Sequence, residues 1–259
     1  MSYGICEISL IPVRKEACHS AEMVTQLLFG HTYTIIENSE NWLQIRISND
    51  NYEGWIEQKQ VYLISEAEFK RYTSETHNIV TDLVQVINNN TSNTIFPILL
   101  GSNIYGEQDK AFRINKQDYI YNGALESSKQ NISAKLIIEN ALMYKNAPYL
   151  WGGKSPFGID CSGLVQMAYY LSGIKLLRDA SQQATQGETI NLITDASPAD
   201  LCFFDNDEGA ITHVGILLPD SKIIHASGYV RIDSIDHHGI YDSLLQSYSH
   251  KLRLIKKII

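Results

Sequence analysis

The chain has 259 residues, 44% hydrophobic and 19% charged, enough for one large domain or two to three small ones. That apolar content can offset the entropy of ordering, which excludes wholesale disorder. A net charge of −8 argues against a nucleic-acid partner and against docking on an anionic membrane or polymer. No run of 18 apolar residues occurs, so no membrane span is expected. The start, MSYGICEISLIPVRKE, has no basic segment ahead of an apolar one, so no targeting segment is expected. The four cysteines (Cys6, Cys18, Cys161, Cys202) are scattered and form no CxxC pair. They suit a reduced compartment, hence the cytoplasm, with at least one thiol available for chemistry.

Residues 1–65 read as short strands. Tyr33-Thr34-Ile35-Ile36 and Trp42–Ile47 are β-rich, and the second run alternates Trp42, Gln44 and Arg46 against Leu43, Ile45 and Ile47. Turn residues Glu37–Asn41 and Asn49-Asp50-Asn51 separate these runs, and Gly54-Trp55-Ile56 opens another. Short strands with regular turn signals predict a small barrel. The stretch resembles a bacterial SH3-like barrel through Ser20, Glu22 and Met23, Gln26–Gly30, Trp42 and Tyr52–Ile56. Residues 66–75 read as a short polar helix or linker. A strand is expected over Ile79–Ile87, with a polar tip at Asn88–Thr91. Ile98-Leu99-Leu100-Gly101 repeats the cadence of Leu28-Phe29-Gly30, so residues 66–127 are taken as a linker and a divergent second SH3-like unit.

Residues 128–259 change character. Ala134, Ile137, Ile138, Ala141 and Leu142 line one helical face, with Pro148 as the expected stop. A second helix is expected from Cys161 to Gly173, followed by strands at Leu201–Phe204, His213–Leu218 and Ile223–Ala226. That order indicates an α+β domain. Asp160 suits an N-cap, which places Cys161 in the first helical turn. Backbone amides and the helix dipole there favour a thiolate and offer an oxyanion hole. A small buried cysteine packing a helix start would show the same local pattern. Two histidines shift the balance. A hairpin centred on residue 219 would set His213 directly opposite His225, so one imidazole can orient the other. Cys161, His213 and His225 then satisfy the logic of nucleophile, base and orienter.

These residues resemble the NlpC-type cysteine peptidases of bacterial cell-wall turnover. Asp160-Cys161-Ser162-Gly163, Thr212-His213-Val214-Gly215 and His225 carry the likeness. It implies a multidomain α+β protein: a papain-like core over residues 128–259, preceded by one or two small SH3-like β-barrels. With the upstream barrels, the chain is similar to γ-D-glutamyl-L-diamino acid endopeptidases, which process murein peptides. The implied substrate is a murein tri- or tetrapeptide with a free N-terminal L-Ala, in cell-wall peptide recycling, with no metal or cofactor. The first barrel would wall off one end of the cleft. Tyr52, Trp151, Asp160, Ser162, Asp179 (in Arg178-Asp179-Ala180) and Glu22 match the family's substrate-binding positions. A buried ammonium needs such carboxylates, and aromatic rings add cation–π contact.

Read on their own, Asp160 is also a simple helix cap, Tyr52 and Trp151 barrel or core packing, and Asp179 solvated surface. Cys6, Cys18 and Cys202 read as small buried hydrophobes. A zinc site from Cys161, Cys202, His213 and His225 fits by ligand type but lacks the short-spaced pairs of structural zinc. Two other functions compete with hydrolysis. One is a non-catalytic module binding cell wall or a partner, against which stands the retention of all three of Cys161, His213 and His225. The other is acyl transfer by the same Cys-His pair.

Overall fold

The computed structural model describes residues 2–129 and 132–259, and the chain divides into two compact units, 1–130 and 131–259. Among the described residues no helix is long and apolar enough to cross a membrane.

In the first unit, alternating strands build a seven-stranded antiparallel sheet. They are β1 (Ser2–Ile5), β2 (Leu10–Arg14), β3 (Met23–Leu28), β4 (Thr32–Ser39), β5 (Trp42–Ile47), β6 (Glu53–Glu57) and β7 (Tyr62–Ile64), in the order β3-β2-β6-β5-β4-β1-β7. The inward residues of the β5 alternation, Leu43, Ile45 and Ile47, pack with Ile11, Val13, Leu27, Tyr33 and Ile56. This is the SH3-like region. Helix α1 (Glu66–Ser74) follows, started by a capping box in which Ser65 Oγ accepts from the Glu68 amide and the Glu68 carboxylate accepts from the Ser65 amide.

The strand expected over 79–87 is two strands in two sheets. β8 (Asn78–Val80) joins β11 (Asn103–Ile104) and β14 (Leu125–Ser127), while β9 (Val84–Asn89) joins β10 (Thr94–Leu99), β12 (Ala111–Ile114) and β13 (Gln117–Tyr121). The break falls at Asp82, whose carboxylate accepts from Tyr121 Oη (2.9 Å) and the Ala124 amide (2.6 Å) and so turns the chain. The repeated apolar-apolar-Gly cadence has a structural meaning. Gly30 (φ +80°) and Gly101 (φ +88°) both take left-handed turns, each closed by the next side chain: His31 Nδ1 accepts from the Leu28 amide and Ser102 Oγ from the Leu99 amide. The two turns meet, because the Asn103 amide donates to Phe29 O and His31 Nε2 lies 3.1 Å from Gly101 O. A Cβ on Gly30 would sit 2.1 Å from Asn103 O, so only glycine fits there. Cys6 is buried as expected, but Cys18 is exposed, in a bend beside Ser20.

In the second unit, α2 (Ala134–Leu142) starts at Ser133, whose Oγ accepts from the Leu136 amide. It ends well before Pro148. That proline instead bridges to Tyr229, in the extended geometry that proline favours. The short hairpin β15 (Lys154–Ser155) and β16 (Gly158–Ile159) leads into α3 (Cys161–Tyr170), whose ten residues are all buried. A helix enclosed on every side, with its few polar side chains hydrogen-bonded, belongs inside a core. It packs on α2 and on strands of a seven-stranded sheet. After α4 (Ala180–Gln183), that sheet consists of β17 (Glu188–Ile190), β18 (Leu201–Asp205), β19 (Ile211–Leu218), β20 (Lys222–Ser227), β21 (Tyr229–Ile235), β22 (Gly239–Asp242) and β23 (Ser247–Lys257), ordered β17-β23-β18-β19-β20-β21-β22. A helix buried against an antiparallel sheet is the papain-like α+β core.

Candidate active site

The nucleophile side is built by the start of α3. Asp160 caps it, with Oδ1 accepting from the Gly163 amide (2.6 Å) and Oδ2 from the Gly152 amide (2.8 Å). Arg178, 1% exposed, closes a two-pronged ion pair: Nη2 lies 2.6 Å from Oδ2 and Nη1 3.0 Å from Oδ1. Nη1 also donates to Ser162 Oγ (2.8 Å), and Gln183 Nε2 to Ser162 O (3.0 Å). Both residues flanking Cys161 are thus clamped from behind. A Cβ on Gly163 would lie 2.4 Å from Gly153 O, so the glycine lets the helix start press against the Trp-Gly-Gly loop.

Burial pushes the Cys161 thiol up to about 12. The Asp160 carboxylate adds to the rise, while hydrogen bonds from the backbone of Val214 and Ser162, with Arg178 nearby, oppose it. The thiolate expected from a helix N-terminus is therefore not the resting form, because desolvation outweighs the amides. The contact with Val214 places the thiol beside the His213-Val214 segment of β19.

The base side is built by the sheet, in a register two residues from the expected one. Leu218 pairs with Lys222, so the hairpin centres on residue 220 and His225 faces Gly215, not His213. The turn Pro219-Asp220-Ser221 takes left-handed φ at Asp220 (59°) and Ser221 (51°). The two histidines are diagonal neighbours on one face, and Gly215 leaves the space between them: a Cβ there would sit 3.0 Å from His225 Cβ. His213 Nε2 lies 2.8 Å from His225 Nδ1. Burial, then His250 and His225, lower His213 well below the usual histidine range, which favours its neutral form.

Sequence reasoning missed the rest of this network. His225 Nε2 lies 2.9 Å from Asp233 Oδ2, and Arg231 holds Asp233 through Nε to Oδ2 and Nη2 to Oδ1, both 2.8 Å. His250, on β23, stacks on His213 with ring centroids 4.1 Å apart and planes 26° apart. Ring nitrogens of His213, His225 and His250 lie within 4.8 Å of one another. The stacked pair's in-plane lone pairs run side by side, and the His213–His225 nitrogens are already engaged with each other, which suits a proton relay better than a metal. The missed residues left one signal, a charged alternation of Arg231 and Asp233 on a strand next to His225.

Asp179 is half-buried at the start of α4, its amide donating to Gln182 Oε1 (3.1 Å). Trp151 is 58% exposed, next to exposed Leu150, so core packing does not describe it. Tyr52 and Glu22 belong to the first unit. The half-buried Tyr52 packs on the first sheet's core with its amide on Asp50 Oδ1 (3.0 Å), and Glu22 pairs with Lys15 (3.4 Å).

A helix-borne cysteine beside a strand-borne histidine pair is an arrangement that can support papain-like thiol chemistry. Residues 146–249 match the NlpC/P60 family, and residues 13–61 match the bacterial dipeptidyl-peptidase SH3 domain. The second unit is an NlpC/P60 family peptidase domain, preceded by a bacterial SH3 domain. The chain is 29% identical over 248 residues to dipeptidyl-peptidase 6 of Lysinibacillus sphaericus, covering 85% of this chain and 88% of that one. It is 28% identical over 232 residues to the gamma-D-glutamyl-L-lysine dipeptidyl-peptidase of Bacillus subtilis, covering 81% and 74%. An NlpC/P60 family protein of Bacillus cereus has the same fold, with a TM-score of 0.83, 19% identity and 99% of each chain covered.

Proposed function

We propose that the protein is a cysteine endopeptidase that hydrolyses the γ-D-glutamyl to diamino acid bond of murein tri- or tetrapeptides with a free N-terminal L-Ala. The observation that carries this reading is the Cys161 thiol at the head of a buried helix, beside a strand whose His213 is neutral and oriented by His225. His213 Nε2 is engaged with His225, so Nδ1 is the ring nitrogen left for the thiol. It takes the thiol proton as Sγ attacks the γ-glutamyl carbonyl, and amides at the start of α3 hold the oxyanion. The imidazolium then gives its proton to the departing amine. Water, deprotonated by the same nitrogen, hydrolyses the thioester and frees L-Ala-γ-D-Glu.

The names of the relatives support the bond chosen. For the amine of L-Ala, Asp179 offers a carboxylate that is only half-buried, and Trp151 an exposed ring. Asp160 and Ser162 contribute as the clamped frame of the nucleophile, because Asp160 already accepts from Arg178, Ser162 and two amides. In this reading the chain is organised as 1–65, 66–127 and 128–259. In the same reading Tyr52 and Glu22 are counted among the substrate-binding residues. Four free cysteines fit action in the reducing cytoplasm, on recycled peptides.

The test is mass spectrometry of products from L-Ala-γ-D-Glu-meso-diaminopimelate and its L-Lys counterpart, each with a free and an acetylated amine. Cleavage of the free-amine peptides alone, lost in Cys161→Ala, is expected. Equal cleavage of the acetylated peptides would remove the amine site. Undiminished cleavage by Cys161→Ala would remove the thiol mechanism.

A further inference from the structure

We propose that Asp233, clamped by Arg231, is a positioning residue that sets the tautomers of both histidines and so aims an unprotonated His213 Nδ1 at Cys161. The proposal rests on the peptidase reading above, and nothing in the triad logic requires a fourth member.

The Asp233 carboxylate sits 2.9 Å from His225 Nε2 and accepts only, so that nitrogen carries the proton. In the His225 tautomer that donates from Nε2, the lone pair lies on Nδ1, 2.8 Å from His213 Nε2. His213 Nε2 must donate to it, and the remaining His213 nitrogen, Nδ1, is left as the base. Without the carboxylate, His225 can turn its Nδ1–H toward His213, which puts the proton on the wrong side of the base.

The clamp makes this orientation durable. Arg231 donates to both carboxylate oxygens of Asp233, and its Nη1 reaches Asp242 Oδ2 (3.2 Å). Asp242 is itself fixed by the amides of Leu244 and Leu245, at 2.8 and 3.2 Å. Burial alone would raise Asp233, but the hydrogen bonds from His225 and Arg231 outweigh it and hold the carboxyl below its usual range. The titratable and charged groups against the histidine pair are His250 from β23 and Asp233 and Arg231 from β21, with Asp242 from β22 behind Arg231, while the Cys161 thiol of α3 lies against Val214, next to His213. Asp233 is the carboxylate that touches the pair.

Each step of the relay is a diagonal step across the sheet. His225 opposes Gly215 and contacts His213, and it opposes Arg231 and contacts Asp233. Diagonal same-face neighbours are within reach of long and aromatic side chains, so the relay follows from strand register alone.

The experiment reads iodoacetamide alkylation of Cys161 by peptide mass spectrometry across pH, with exposed Cys18 as the reference thiol on the same chain. It needs no substrate. Failure of wild type to cleave γ-glutamyl peptides would overturn the function reading and leave this comparison standing. Asp233→Asn is expected to slow Cys161 alkylation about 10-fold at neutral pH and move its midpoint alkaline. On peptide, kcat is expected to fall roughly 10- to 100-fold with KM little changed, less than the ~10⁴-fold typical when the lost carboxylate touches the base directly. Combined with His225→Gln, Asp233→Asn should add little, because it acts through His225. An alkylation profile matching wild type, or losses that multiply in the double variant, would overturn the proposal. Should Asp233→Asn not fold, Arg231→Gln frees the carboxylate to rotate, and the same alkaline shift, smaller in size, is expected. No shift there would overturn it equally.

Discussion

The two sides of the site use the same pair of residue types to opposite electrostatic ends. Behind the nucleophile, Asp160 is clamped by Arg178; behind the base, Asp233 is clamped by Arg231. The Asp160 charge lies next to a thiol and works against its ionisation, so Arg178 has to offset it. The Asp233 charge lies behind the imidazole chain and favours the cation that forms when His213 takes the proton. Their burial differs accordingly. Arg178 is wholly enclosed, whereas the Arg231 side chain is 16% exposed, on a strand held between β20 and β22. The first pair is architecture that happens to flank a nucleophile, and the second is part of the proton path.

Removing the base gives the largest effect on rate. His213→Ala should lower kcat on peptide by roughly 10³- to 10⁴-fold, read on protein whose circular dichroism matches wild type. Wild-type kcat/KM should hold well below pH 6.5, since His213 is displaced far beneath that value. An acid limb centred at the ordinary histidine value would contradict the buried, neutral base.

Next comes Arg178→Met, which breaks the nucleophile-side pair. It leaves Asp160 charged and buried with only amides and a hydroxyl, at a cost of about 3–5 kcal/mol in denaturant unfolding. Asp160→Asn in the same chain should recover part of that loss. A loss below about 1 kcal/mol would mean that water replaces the guanidinium and the pair is not architectural.

Gly215→Ala probes the space between the histidines. Its Cβ would press on Ile223 Cδ1 at 2.7 Å and His225 Cβ at 3.0 Å. Displacing His225 should cost about 10-fold in kcat while leaving KM unchanged. An unaltered kcat would show that the relay tolerates a shifted orienter.

What the sequence revealed divides along the same line. The nucleophile side is local: an N-cap, a cysteine one residue on and a glycine that admits a neighbouring loop all lie within a few positions. The helix and its polarity were therefore legible. Arg178 was not, because it reaches Asp160 from 18 residues away. The base side is non-local. The histidines were legible as partners, but their pairing slipped by two residues, because left-handed φ at Asp220 and Ser221 is not written in those residue types. Asp233 and His250 enter through register across β21 and β23, a property of the assembled sheet. The burial that raises the Cys161 thiol is likewise a tertiary fact, and it reversed the helix-dipole expectation.

The smallest expected effect separates stacking from titration at His250. Burial pushes His250 down to about 4, with His225 lowering it further and Asp233 opposing. Between pH 6.5 and about 4 the unfolded chain binds this proton and the folded chain does not. The stability this group contributes is thus present above pH 6.5 and lost as pH falls through that window. His213 works in the same direction, so His250 carries only part of the acid slope. His250 is also half-buried, and its share is less than the ~1.4 kcal/mol per pH unit of one fully excluded proton. His250→Phe keeps a ring against His213 and removes the titration, so Tm plotted against pH should flatten slightly over that window while kcat at neutral pH stays within about 3-fold. An unchanged acid slope would assign the acid sensitivity to His213 alone. A large loss of kcat would instead put His250, through its Ser249-bound ring, on the proton path with Asp233.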